Sequence, residues 1–187
     1  AKDVVQFGFD QNTANKTLDE AGWVRGADGF RVKDGMPLSL MLVTLDNAEY
    51  VHVAEQVRDQ WALVGAKIEI VAQSDEVLQT NHIIPHSYDL LLYGISIGPD
   101  PDVFAYWHSS QADIRSLGRL NLSEWKNNAA DQALEGGRTR LDASLRIAKY
   151  RPLAEIWRNE APAIGLYQPR MLYVTRGTIY NFDINEV

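Results

Sequence analysis

Within residues 38–71, an apolar run, a helical pattern and an alternating segment follow one another directly. The run LSLMLVTL at residues 38–45 is almost continuously apolar, which predicts a strand covered on both faces. Residues 67–71 (KIEIV) alternate apolar and polar side chains, as a half-buried strand does. Between them, apolar side chains recur on one helical stripe: Tyr50, Val53, Val57, Trp61 and Val64. This order predicts a βαβ unit, with a right-handed crossover if the strands are parallel, and therefore an α/β fold class.

Elements of both types continue along the rest of the chain. Residues 88–95 (YDLLLYGI) predict a further buried strand. Helices are predicted over residues 123–138, with Ser123 as N-cap, and over residues 142–160, with a kink or break caused by Pro152. Two closing strands are predicted at the end of the chain, over residues 163–167 and 171–175.

Composition excludes several classes of protein. The 187 residues suffice for one well-packed domain, and the net charge of −7 argues against nucleic acid or anionic lipid as a partner. The chain has no cysteine, which excludes a disulfide scaffold and thiolate chemistry. It contains no apolar run of about 18 residues and does not open with a signal peptide. If the parent protein is exported, we expect its targeting segment to be missing from this sequence.

A polar cluster follows the strand predicted at residues 88–95. Its members are Asp100, Asp102, His108, Ser109, Ser110 and Gln111. Ligands of open α/β sheets bind at the carboxyl ends of strands, so this position favours a binding loop. The alternative is a turn shaped by Pro99 and Pro101, with the aspartates as caps and His108 in solvent. Trp107 either lines a ligand pocket or fills the core.

Catalytic motifs are absent from the sequence. There is no G-x-S-x-G, no phosphate-binding P-loop, no G-x-G-x-x-G and no H-E-x-x-H. His82 and His86 are separated by Pro85, which makes a shared helical face improbable. We therefore expect no enzyme, no catalytic residue, no metal and no cofactor. Two alternatives remain open: a small hydrolase or metal-dependent enzyme using Asp100, Asp102 and His108, and a protein-interaction module.

Several stretches, taken in order, carry a resemblance to a known family. They are LDEAGW at residues 18–23, GMPL at 35–38, AE at 54–55, QW at 60–61, YDLLLYG at 88–94, PDPD at 99–102, WHSSQ at 107–111, Asn121 with Asp131, and APAIGLY at 161–167. Together they resemble the extracellular solute-binding proteins of family 5, the dipeptide- and oligopeptide-binding type. The resemblance covers nearly the whole chain.

The resemblance implies a fold and a role. It implies a lobe of the periplasmic-binding-protein type II, with a mixed β-sheet flanked by helices. Residues 1–187 would form a single domain, the second, carboxy-terminal lobe of a two-lobe protein whose first lobe is absent here. The protein would capture a small solute in the cleft between the lobes, without chemical change, for an ABC importer. Its partners would be a peptide or small-molecule ligand and the cognate membrane permease. We expect an extracytoplasmic monomer, either periplasmic or a cell-surface lipoprotein.

The resemblance also implies site residues. In peptide-binding members, the loop after the YDLLLYG-type strand presents a Trp and then an acidic residue that pairs with the amine of the peptide. Here Gly94 matches the start of that loop, Ile95 stands at the Trp position, and residues 96–98 occupy the region of the acid. Members of the family also bind nickel complexes and sugars, so the class of ligand stays open. The predicted ligand-binding residues are Gly94, Ser96, Asp100, Trp107, His108 and Asn121.

Overall fold

The computed structural model describes residues 4–98, 100, 102–113, 120–170, 172–178 and 180. It divides the chain into two compact units. One unit is Gln6–Ile95, and the other combines Ala1–Val5 with Ser96–Val187. Each unit is described by itself, and the expectation that residues 1–187 form a single lobe stays a prediction.

The first unit begins with a helix and a small antiparallel sheet. Helix α1 (Gln11–Glu20) starts at Asp10, whose side chain accepts the Thr13 N–H. Strands β1 (Val24–Arg25), β2 (Arg31–Lys33) and β3 (Met36–Pro37) then pair in chain order. Arg31 is only 2% exposed, and it ties this sheet to its neighbours. Its Nη1 donates to Asp19 in α1 at 2.6 Å, and its Nε donates to the Val64 carbonyl at 2.7 Å.

A parallel three-stranded sheet forms the centre of the first unit. Strand β4 (Ser39–Leu45) leads through α2 (Ala48–Leu63) to β5 (Lys67–Gln73), and β4 and β5 pair in parallel. The predicted βαβ unit is confirmed. Strand β6 (Leu90–Leu92) adds to the other side of β4, which gives the order β5-β4-β6. Helix α2 packs against the sheet through a core built on Leu42, Ala54 and Ile68.

Strand β6 is shorter than residues 88–95, the range that the sequence predicts. Its ladder with β4 covers only Leu90–Leu92. Just before the strand, the Asp89 N–H donates to the Met41 carbonyl at 3.2 Å, while the Asp89 carboxylate accepts the Met41 N–H at 2.8 Å. Residues 93–98 then leave the sheet. Between β5 and β6, the chain forms α3 (Asp75–Leu78) and one π-helical turn (Gln79–Ile83).

The second unit is helical in its described part. Helix α4 (Phe104–Trp107) is followed by a 3₁₀ turn (Ser109–Gln111) and by the two long helices, α5 (Asn128–Arg138) and α6 (Ala143–Glu160). The two long helices enclose a core of Ala130, Ala133, Leu134 and Leu153. The α/β class is confirmed, with parallel and antiparallel strands in separate sheets.

Two predictions in the second unit were wrong, and one more was tested only in part. Helix α5 begins after Asn127 and not after Ser123, because Glu124 has φ 51°, which no right-handed helix accommodates. Helix α6 continues through Pro152, which excludes the predicted break, whereas the predicted kink stays a prediction. Pro152 is exposed, so water can bond the carbonyl that lacks its usual N–H partner.

The closing strands are the second wrong prediction. Residues 163–167 and 172–175 run without a strand ladder, and Met171 lies outside the described residues. In the part of the chain that the structure describes, no helix is both long enough and apolar enough to cross a membrane.

Candidate ligand-binding loop

The candidate loop begins where β6 ends, and side chains of the first unit hold that point. Thr44 donates its hydroxyl to the Leu92 carbonyl at 3.0 Å, and Gln79 donates to the Tyr93 hydroxyl at 3.1 Å. Gly94 follows. A Cβ added at Gly94 would lie 2.6 Å from the hydroxyl oxygen of Tyr50, so only glycine leaves room for this phenol. Gly94 therefore holds a structural position at the carboxyl edge of the sheet.

In the second unit, side chains hydrogen-bond to one another and to the main chain among the described residues between Ser96 and Tyr106. The Tyr106 hydroxyl donates to the Ser96 carbonyl at 2.7 Å. Asp100 accepts the Asp102 N–H at 3.0 Å, and Asp102 accepts the Phe104 N–H at 3.0 Å. Each aspartate accepts a main-chain N–H two residues further on, but the N-cap of α4 is Val103, so the prediction that Asp102 caps this helix was wrong. Pro99 and Pro101, predicted to shape the same turn, lie outside the described residues.

Both aspartates also pair with arginines of the long helices. Arg146 of α6 donates two hydrogen bonds to Asp100, from Nη2 to Oδ1 at 2.5 Å and from Nη1 to Oδ2 at 3.2 Å. Arg138 of α5 lies 3.0 Å from Asp102. The hydrogen bonds from Arg146 hold the pKa of Asp100 below its ordinary range, and those to Asp100 raise the pKa of Arg146. Each loop carboxylate is therefore balanced by a cation of its own unit.

His108 is buried and not in solvent. Its ring stacks on Phe104 with centroids 4.0 Å apart. Its Nδ1 accepts the Ser110 N–H at 3.1 Å, so in the neutral ring the proton is on Nε2. Nε2 faces two carboxylates of α5, Glu135 at 3.4 Å and Asp131 at 3.8 Å. The alternative that placed His108 in solvent was wrong, because the ring packs between Phe104 of α4 and the carboxylates of α5.

Asn121 is fully buried, and its amide has protein partners on both sides. The nitrogen donates to the carbonyls of His108 at 3.2 Å and Trp125 at 2.8 Å. The oxygen accepts the Ser123 hydroxyl at 3.0 Å. Asn121 therefore fixes the backbone on both sides of its own turn.

Trp107 packs with the helices. Its ring meets Trp157 of α6 edge-on, with centroids 4.2 Å apart, and it lies against the helical core. These contacts are the ones expected if Trp107 fills the core. The prediction that Trp107 also lines a ligand pocket stays a prediction.

The predicted site residues thus fall into two sets. Asp100, Trp107, His108 and Asn121 join α4, α5 and α6 into one supported network, whereas Gly94 belongs to the first unit and Ser96 is exposed at the loop. Sequence reasoning missed Arg138 and Arg146. Both lie within predicted helices, and no local signal distinguishes them from other helical arginines.

The arrangement does not favour an enzyme built on Asp100, Asp102 and His108. Each of the three pairs with a different helical side chain. Among the described residues, no group of three or more His, Asp or Glu side chains could hold a metal ion.

A family model gives the first comparison with known proteins. The model described as bacterial extracellular solute-binding proteins, family 5 Middle, matches residues 1–116. That range contains the whole first unit, the candidate loop and α4.

Individual relatives agree with the family model. Oligopeptide-binding protein AppA of Bacillus subtilis is 30% identical over 172 residues, which cover 89% of this chain and 31% of AppA. Protein XP55 of Streptomyces lividans is 28% identical over 152 residues, which cover 77% of this chain and 26% of XP55. The chain thus spans about a third or less of the length of these curated relatives.

Solved structures share the fold. NikZ of Campylobacter jejuni in complex with Ni(L-His) superposes with a TM-score of 0.76 and 21% identity, over 83% of this chain and 31% of NikZ. AppA of B. subtilis in complex with a nonapeptide gives a TM-score of 0.75 and 24% identity, over 86% of this chain and 32% of AppA. The periplasmic-binding-protein fold class is therefore confirmed.

Proposed function

Because the chain belongs to the bacterial extracellular solute-binding proteins of family 5, we propose that it is part of the substrate-capture component of an ABC importer. One observation carries the proposal: the family match runs without interruption through the parallel sheet and the loop that leaves its carboxyl edge. Ligands of open α/β sheets bind at this edge. The solute is a peptide or a related small molecule, as the nonapeptide of AppA and the nickel–histidine complex of NikZ suggest by analogy.

The proposed mechanism is capture without chemistry. The chain forms the later, second lobe of a two-lobe protein, and the solute is held in the cleft between the lobes. The lobes close by hinge motion, and the closed form docks on the membrane permease. A solute drives closure only as far as it binds the closed state better than the open one. The protein acts outside the cytoplasm as a monomer, either in the periplasm or as a surface lipoprotein.

Within this mechanism the predicted site residues take two roles. Ser96 faces the solute, and Gly94 lets the chain turn from the sheet into the loop without displacing Tyr50. Asp100, His108 and Asn121 hold the loop from behind, and Trp107 supports α4 on the helical core. This support matters because a loop that is already ordered loses little entropy when it binds a ligand.

Thermal shift measurements on the full-length protein that contains this chain test the proposal. A panel of peptides, metal–amino-acid complexes and oligosaccharides is screened, since a ligand that binds only the native state raises its stability by about 2.7 kcal/mol at 100 times Kd. We expect one class to raise Tm. If every class leaves Tm unchanged, the proposal fails.

A pair of variants then locates the site. Ser96→Trp is expected to weaken binding of the selected solute at least tenfold, because it fills the loop surface. Gln132→Trp places the same bulk at an exposed position of α5 and should leave binding unchanged. Equal effects of the two substitutions would remove the loop from the site.

A further inference from the structure

Two tyrosines of the first unit lie where the parallel sheet ends. Tyr50 is in the first turn of α2, which follows β4, and its hydroxyl oxygen lies 2.6 Å from the place where a Cβ of residue 94 would stand. Tyr93 directly follows β6, and its hydroxyl accepts the Gln79 side-chain N–H at 3.1 Å. Both residues therefore border the carboxyl edge of the sheet, the edge at which ligands of open α/β sheets bind.

Neither hydroxyl has an acceptor for its proton among the described residues. The Tyr50 hydroxyl makes no hydrogen bond in this part of the chain, and its oxygen is not buried. The Tyr93 oxygen uses a lone pair for the N–H of Gln79, so its own proton has still to be donated. Since a phenol carries one donor and two acceptor sites, each tyrosine offers an unused O–H at the edge of the sheet.

A third phenol differs in this respect. In the second unit, the Tyr106 hydroxyl donates its proton to the Ser96 carbonyl at 2.7 Å. The rings of Tyr50 and Tyr93 are half-buried, and Gln79, which begins the π-helical turn, fixes the Tyr93 phenol through its amide. Rings that are held in this way lose little entropy when they bind a ligand. Two oriented donors are therefore ready at the edge, whereas the donor of Tyr106 is already used.

From these two unused protons we infer that Tyr50 and Tyr93 contact the solute and that each donates a hydrogen bond to one of its oxygens. This inference rests on the proposed function and adds two residues of the first unit to the same site. The oxygens that fit are those of carbonyl and carboxylate groups, because they accept hydrogen bonds and carry no competing proton. Peptides and metal–amino-acid complexes both contain such oxygens.

Calorimetry on the full-length protein tests the inference with two probes, trialanine and the nickel–histidine complex. Tyr50→Phe and Tyr93→Phe each remove one hydroxyl and keep the ring. We expect each variant to bind about three- to tenfold more weakly than the wild type, which is the usual effect of losing one neutral hydrogen bond. Tyr180→Phe is the matched control, because it removes the same group from a side chain that is 83% exposed. If all three variants bind a probe equally well, the inference is overturned, and binding by the wild type leaves the proposed function intact.

Urea unfolding separates a contact with the solute from a structural role. The Tyr50 hydroxyl bonds to no described residue, so Tyr50→Phe should leave the unfolding midpoint of the solute-free protein equal to that of the wild type. A loss of affinity at an unchanged midpoint supports the inference. If Tyr50→Phe lowers the midpoint and the affinity together, the hydroxyl supports the fold and the inference fails for this residue.

An amide probe decides the question even if neither solute binds. The full-length protein is labelled with [ε-¹³C]tyrosine, the signals are assigned with the Phe variants, and N-methylacetamide is titrated as a model of one peptide carbonyl. We expect the signals of Tyr50 and Tyr93 to shift further than that of Tyr106, whose proton is already donated. Equal shifts of the three signals, or none, would overturn the inference. Failure of every solute in the thermal screen would count against the proposed function instead.

Discussion

The side-chain nitrogen of Asn121 donates to the main-chain carbonyl of His108 across 3.2 Å. The same nitrogen donates to Trp125, so one buried amide joins the end of α4 to the turn that precedes α5. The loop before α4 is fixed in turn by Arg138 and Arg146. The supports of the proposed binding surface therefore lie behind it, in the helices of the second unit.

Asn121→Ala should destabilise the protein by about 1–3 kcal/mol, because it leaves two carbonyl oxygens without a donor in a buried site. Urea unfolding of the full-length protein measures the change. Ser123→Ala is the control, since it removes the hydroxyl that donates to the Asn121 oxygen and accepts the Trp125 N–H at 3.3 Å, but leaves both amide–carbonyl bonds in place. We expect it to cost less than Asn121→Ala. A larger loss for Ser123→Ala would show that the amide is not the main support.

Gly94→Ala should cost about 1–3 kcal/mol, the usual range for overpacking, because the new methyl group meets the Tyr50 hydroxyl. The cost should fall when the alanine is combined with Tyr50→Phe, which removes the oxygen and keeps the ring. Urea unfolding of the two single variants and the double variant gives the coupling energy of the pair. If the free-energy costs of the two single substitutions simply add in the double variant, the Tyr50 hydroxyl is not what requires glycine at position 94.

Local pattern determines the elements that the sequence predicts well. The apolar run at residues 38–45 and the stripe of α2 each contain their own periodicity, so β4, α2 and β5 follow with only small shifts of their ends. The start of α5 was misplaced because Ser123 and Asn127 are both good caps. The choice between them depends on the left-handed backbone at Glu124, which no periodicity reveals.

Pairings between distant parts of the chain decide the rest. Asp100 was found as a candidate from its position after a strand, but its partner Arg146 lies 46 residues further on. The sequence therefore identified the Asp100 carboxylate, but it did not show which arginine balances its charge. The alternative of a solvated His108 failed for the same reason, since Asp131 and Glu135 reach the ring only when α5 packs beside α4.

Arg31→Met should destabilise the protein by about 3–5 kcal/mol, the range for breaking a buried charged network. The substitution leaves the Val64 carbonyl without its donor at the end of α2. Asp19→Ala is the control: its side chain is 65% exposed, so water can replace it, and we expect a smaller loss. Thermal unfolding of both variants compares them. A larger loss of stability for Asp19→Ala than for Arg31→Met would show that the ion pair, and not the hydrogen bond to Val64, is the main contribution of Arg31.

Acid should remove the contribution of the Asp100–Arg146 pair. The pKa of Asp100 is lowered in the folded protein by the hydrogen bonds from Arg146. Its stabilisation is therefore fully present above the unfolded pKa of about 3.9 and is lost as the pH falls through the lower folded value. Asp100→Asn keeps an oxygen for the Asp102 N–H but removes the charge and one of the two acceptors of Arg146. Urea midpoints should separate this variant from the wild type at pH 7 and converge near pH 2. In the Arg146→Met background, Asp100→Asn should have a smaller pH-dependent effect, because only the Asp102 N–H then still lowers the pKa of Asp100. A gap of equal size at both pH values would show that the charge on Asp100 contributes nothing.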